Sequence, residues 1–203
     1  MTIPTLLFAL VIGFNHAFEA DHVLAVGNLA NKRGSFLEAI KDGLFWGLGH
    51  TSTIFAVGCV IILGKLTFDI STFSYFEVAV GATLVALGIF RIAKTRTKAI
   101  SKDEPHARGT KLAYSIGLLH GLAGSGAVIL IALSEIQSSS LSIIYLLLFG
   151  SGSILGMMIV AALFKIPLSS KAGISTSLQK GFVVLSGLLC IGYGVYMIYS
   201  FCN

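Results

Sequence analysis

The chain has 203 residues, of which 55% are hydrophobic and only 11% charged, and its mean hydropathy is +0.90. That balance excludes a soluble globular domain and a disordered chain, and predicts a protein that lives in a bilayer. The net charge of +5 is carried by short loops between apolar segments, which argues against a nucleic-acid surface.

A membrane-spanning helix needs roughly 20 apolar residues. Segments at about 3–28, 43–64, 74–93, 112–134, 141–164 and 181–201 meet that requirement. The expectation is an all-α integral membrane protein with six transmembrane helices and a single transport-sized domain over 1–203. The first segment lacks the basic start of a signal peptide, and polar residues stand where an apolar stretch should continue.

Those polar residues are the run His16-Ala17-Phe18-Glu19-Ala20-Asp21-His22, which follows the apolar stretch Ile3 to Phe14. An ionisable group at membrane depth costs about 2.5–3.5 kcal/mol on insertion scales, so such groups usually belong to a site. Imidazole and carboxylate are also the side chains that bind divalent transition metals. On an ideal helix His16, Glu19 and His22 share a face, while Asp21 points elsewhere. His16 and His22 would be about 9 Å apart along the axis, too far for ligands at roughly 2.0–2.1 Å to meet on one ion. Either the helix is broken at the motif, or the motif supplies successive stations.

The second segment contributes His50, in Leu48-Gly49-His50-Thr51-Ser52-Thr53. Counted from the cytoplasmic helix ends, His22 and His50 fall at similar depths, roughly 12 and 10 Å, so they can serve one layer. The third segment brings Gly81 and Gly88. Beyond it lies a basic loop over about 94–111, in which His106 has Asp103 and Glu104 for neighbours and is expected to be solvated. Lys32, Arg33 and Lys41 lie in the first connection on the same side, and Lys165, Lys171 and Lys180 in the last. Lys65 is the basic residue of the opposite side. The positive-inside rule then places these three loops in the cytoplasm and both termini outside.

The fourth segment opens a second half. Gly117-Leu118-Leu119-His120 aligns with Gly13-Phe14-Asn15-His16, and Gly150-Ser151-Gly152-Ser153 aligns with Gly47-Leu48-Gly49-His50. The pair Gly187 and Gly194 repeats the spacing of Gly81 and Gly88. Two three-helix halves, about 1–93 and 112–203, joined head to tail must enter the membrane from opposite sides, the inverted-repeat plan of many secondary transporters. The halves differ chemically: Ala123, Ser125 and Gly126 stand opposite Glu19, Asp21 and His22, and Ser153 stands opposite His50. His120 has no acidic neighbour and is read as either a packing histidine or a participant. Cys59, Cys190 and Cys202 show no ligand spacing, and most glycines are expected to serve close helix packing.

The run from His16 to His22 resembles the signature of the nickel/cobalt transporter (NiCoT) family: His, four residues, then Asp-His, in an early transmembrane helix. Gly49-His50-Thr51 resembles that family's second motif, a Gly-His followed by a hydroxyl residue. The chain is similar to short members of the wider NicO group, the nickel permeases associated with urease maturation. The resemblance implies that His16, Asp21, His22 and His50 are required for metal uptake, with Ni2+ or Co2+ as transported substrate and no resident cofactor. Glu19 stands where the pattern often has Asp, and six helices are predicted instead of the eight of longer members. A long His-rich loop of related exporters is missing, which favours import.

The expected metal set is therefore His16, Glu19, Asp21, His22 and His50. The expected partners are the metal ion and the lipid bilayer, with no nucleic acid; the sequence leaves open whether the chain forms a homo-oligomer. The rival class is an intramembrane zinc-dependent hydrolase, which would need three fixed ligands, an open water position and an acid/base. The HExxH arrangement is absent from the sequence. A haem protein would leave both acids unexplained, and without a Walker A pattern the chain is not its own ATPase.

Overall fold

The structure is a computed structural model that describes residues 3–30, 35–64, 71–96, 106–123, 138–169 and 173–202. Among the described residues every regular element is helical: α1 (Ile3–His16), α2 (Ala20–Ala30), α3 (Phe36–Gly64), α4 (Ser71–Arg96), α5 (His106–Ala123), α6 (Ser139–Lys165) and α7 (Thr176–Cys202). A 3-10 turn over Ile166–Leu168, with a proline in its first turn, ends α6. Among the described residues, four helical stretches are long and apolar enough to cross a membrane: Phe36–Gly64, Tyr75–Thr95, Ser139–Leu168 and Thr176–Cys202. Each carries an apolar side chain that is more than half exposed: Leu63 on α3, Ile89 on α4, Leu163 on α6 and Leu188 on α7. Exposed apolar side chains on every such helix are what a bilayer accepts and water does not.

The first predicted segment is two helices. The α1 ladder stops at His16, and Phe18 N–H and Glu19 N–H donate to the carbonyls of Asn15 and His16 at 2.9 and 3.1 Å. These short-range bonds tighten the end of α1 and turn the chain. Helix α2 then begins with Val23 N–H donating to the Glu19 carbonyl. Asp21 lies in its first turn, where the positive end of a helix favours a carboxylate. Two connections also differ from expectation. Helix α3 starts at Phe36, ahead of the predicted 43, because Ser35 and Glu38 exchange backbone-to-side-chain hydrogen bonds in a capping box. Helices α4 and α5 both run into the basic connection predicted over 94–111, while Asp103, Glu104, Ser125 and Gly126 lie outside the described residues.

Helix α3 is the centre of the packing. It lies along α5 on one side and α6 on the other, α1 packs on α6, and α4 packs on α7. Backbones touch at these crossings. A Cβ on Gly13 would fall on the Phe149 carbonyl, and one on Gly117 would fall on the Trp46 carbonyl. Likewise Gly49 meets the Tyr114 carbonyl and Gly152 the Leu10 carbonyl. In a bilayer, where lipid tails are as apolar as leucine, such close approach is the main source of helix association. Helix α2 is held in place by Asn28, whose amide donates to the Ser186 carbonyl of α7 at 3.2 Å while Ser186 Oγ donates back to it.

Candidate metal centre

The break after His16 decides the geometry of the site. Folding the chain back by one turn brings the His16 and His22 rings to 4.5 Å between centroids, where a continuous helix would hold them far apart. His50 arrives from the middle of α3, its ring 4.9 Å from His22 and 5.3 Å from His16. All three are buried. One ligand atom from each lies within 4.8 Å of the others. Two nitrogens on a first-row dication, each at roughly 2.0–2.1 Å, are at most about 4.2 Å apart. Small ring rotations therefore suffice to close the trio on one ion.

The carboxylates occupy the other side of the imidazoles. His16 Nδ1–H donates to Glu19 Oε1 at 2.8 Å, and His22 Nδ1–H donates to Asp21 Oδ1 at 2.7 Å. An ionised carboxylate only accepts, so each bond places the proton on Nδ1 and leaves the Nε2 lone pair of the neutral ring free. Nε2 of His16, Nε2 of His22 and both ring nitrogens of His50 are buried and have no hydrogen-bond partner among the described residues. A buried unpaired nitrogen is costly, and three such rings with ligand atoms within 4.8 Å of one another make a candidate metal site. A carboxylate behind a ligating imidazole orients the ring and raises its basicity.

The five expected residues thus come together, but they divide into two kinds. His16, His22 and His50 offer the inner nitrogens. Glu19 and Asp21 also form an outer trio with His22, whose ligand atoms again lie within 4.8 Å of one another. The two acids are not equal, because the Glu19 side chain is 56% exposed and that of Asp21 only 13%. If the trio holds a divalent metal ion, Asp21→Ala is expected to weaken its binding by about 10–100-fold, the range for a lost orienting carboxylate. Glu19→Ala should cost less, since its contact is screened. Titration of the purified variants checks this, and a larger loss at Glu19 would reverse the ranking.

Two side chains outside the expected set border the trio: Trp46, not singled out from the sequence, and His120, whose part was left open. Trp46, buried and one helical turn before His50, stacks on the His50 ring with planes 8° apart and centroids at 5.4 Å. Its spacing of four from His50 was the available signal. His120, also buried, reaches from α5 to within 6.0 Å of His22 and 5.1 Å of Trp46, ring to ring. Ser153, opposite His50 in the sequence alignment, donates through Oγ to the Gly13 carbonyl at 3.0 Å and serves packing.

No family model and no solved structure matches the chain. A urease accessory protein, UreH, of Bacillus sp. is 32% identical over 212 residues, covering 98% of this chain and 92% of that protein. The nickel transporter NicT of Mycobacterium tuberculosis is 28% identical over 93 residues, 42% of this chain and 25% of that protein. A high-affinity nickel transport protein of Cupriavidus necator is 32% identical over 92 residues, 44% of this chain and 26% of that protein. The chain thus spans nearly all of the first relative and about a quarter of each transporter. It belongs to the family of the urease accessory protein UreH.

Proposed function

We propose that this chain is a permease of the cell membrane that imports a divalent transition-metal ion, Ni2+ or Co2+, through the site formed by His16, His22 and His50. The observation that carries the reading is the set of buried, unpartnered imidazole nitrogens, two of them backed by carboxylates. Imidazole with carboxylate suits nickel and cobalt alike. The relatives named as nickel transporters support the same substrate class. The zinc-hydrolase alternative has less support: both acids of the motif are engaged with ring Nδ1 atoms, and the named relatives are transport or accessory proteins.

The architecture we propose is six spans in two inverted three-helix repeats, about 1–93 and 112–203. In support, the close approaches pair off under the sequence alignment. Gly13 on Phe149 corresponds to Gly117 on Trp46, and Gly152 on Leu10 corresponds to Gly49 on Tyr114. At the crossing of α4 with α7, Gly81 lies at the Gly194 carbonyl and Gly88 at the Gly187 carbonyl. Both termini are placed outside and the 94–111 connection inside. Cysteines introduced at 100–108 should then react with an impermeant maleimide only after the cells are opened, and labelling of intact cells would reverse the orientation.

Inward flow needs no ATPase on this chain, because the membrane potential favours cation import by about 2.3 kcal/mol per charge per 100 mV. The deciding experiment is uptake of radiolabelled nickel by cells expressing the chain, with cobalt, zinc and magnesium as competitors. Saturable accumulation displaced by cobalt is the expected result. Accumulation no greater than in cells without the protein, or stoichiometric zinc that survives chelation, would overturn the proposal.

A further inference from the structure

The site described above uses one flank of His22, and a buried imidazole remains on the other. His120 Nδ1–H donates to the Ile116 carbonyl at 3.1 Å, which leaves Nε2 of the neutral ring with its lone pair. That Nε2 is buried and has no partner among the described residues. The ring contacts of His16 run to His22, His50 and Phe149, whereas those of His120 run to His22 and Trp46. His22 is common to both sides. At 6.0 Å His120 stands farther from His22 than the 4.5–5.3 Å separations within the trio, and Trp46 lies stacked on His50 beside it.

The position of His120 is fixed by the backbone. Gly117 and Gly121, which flank it by three residues and one, bring α5 directly against the carbonyls of Trp46 and His50. The place of His120 beside the trio is thus set by the contact of α5 with α3. Under the alignment of the two halves, His120 corresponds to His16. In the inverted-repeat plan proposed above, alternating access is largely a rocking of one half against the other around a shared site.

We propose that His120 is the receiving ligand of a second metal station, reached when His16 is released. The dication stays on His22, the Nε2–metal bond of His16 breaks and an Nε2–metal bond of His120 forms. Both rings keep their Nδ1 protons, so the exchange consumes and releases none. The inference rests on the import reading above, and it assigns His120 to movement of the ion and not to its initial capture.

The test compares His120→Gln and His120→Asn with His50→Ala and the unaltered protein. Nickel affinity is measured on purified protein, and nickel uptake kinetics are measured in cells, normalised to protein in the membrane. Both His120 variants should keep nickel affinity and half-saturation within about threefold, while maximal uptake falls by about tenfold or more; His50→Ala should lose affinity by about a hundredfold. Loss of affinity in the His120 variants as large as in His50→Ala would make His120 a ligand of the first station and overturn the proposal. Unchanged maximal uptake, or absence of both variants from the membrane, would make it a packing residue and overturn it as well. Unchanged affinity in His50→Ala would instead sink the capture site itself, a distinct failure.

Discussion

Saturable nickel uptake at submicromolar metal is expected to vanish in His22→Ala, with the protein still in the membrane. Among the three imidazoles His22 has the shortest ring separations, 4.5 Å to His16 and 4.9 Å to His50, and Asp21 stands behind it at 2.7 Å. Its removal deletes an inner ligand and strands the buried carboxylate that oriented it. Loss of an orienting group alone costs about 10–100-fold, so loss of the ligand should exceed about a hundredfold in affinity. If His22 and His50 hold one ion, the second substitution finds little left to remove. The His22→Ala, His50→Ala double variant should then bind nickel scarcely worse than either single one. Equilibrium binding to the four purified proteins checks this, and fully additive losses would mean two independent sites.

The second large effect is expected at Gly13, and it concerns assembly. The Phe149 backbone occupies the place of a side chain there, and a main-chain carbonyl cannot rotate away as a flexible side chain can. Gly13→Ala should therefore lower stability by about 1–3 kcal/mol, the range for overpacking, and Gly13→Leu should separate α1 from α6. Gly117→Ala should behave alike, since the Trp46 carbonyl meets it in the same way. Gly192 provides the contrast: nothing lies within 4 Å of an added Cβ, and Ala is favoured over Gly in a helix by roughly 0.5–1 kcal/mol. Gly192→Ala should thus be neutral or slightly stabilising. Thermal unfolding in detergent ranks the four variants, and a Gly13→Ala protein as stable as Gly192→Ala would refute the backbone contact.

Much of the site could be read from residue types alone. Charged and imidazole side chains inside an apolar segment are costly enough to mark a functional place, and the depths of His22 and His50 matched. The division of labour within the motif could not be read. On a straight helix Asp21 points away from His16, and nothing between Ala17 and Glu19 is a glycine or proline that announces a break. The turn is made by local hydrogen bonds from Phe18 and Glu19, which spacing does not encode. His120 is hard to place from the sequence for a related reason. It lacks an acidic neighbour in sequence, and its place beside His22 comes from the contact of α5 with α3. Gly117 and Gly121 beside it were the signal, since small residues on one helical face mark the side that meets another helix. The fold followed hydropathy well for α3, α4, α6 and α7. Helix ends were less legible because caps such as Ser35 with Glu38 outlast the apolar stretch.

Trp46 is the single tryptophan of the chain, and its indole lies against His22, His50 and His120. The molecule therefore carries a built-in optical reporter at the place where the ion would sit. Open-shell Ni2+ or Co2+ held a few ångströms from an indole takes up its excitation energy, whereas closed-shell Zn2+ has no low-lying d–d states to receive it. Emission excited in this one side chain would thus separate occupancy by the proposed cargo from occupancy by zinc, without a label and without altering a residue.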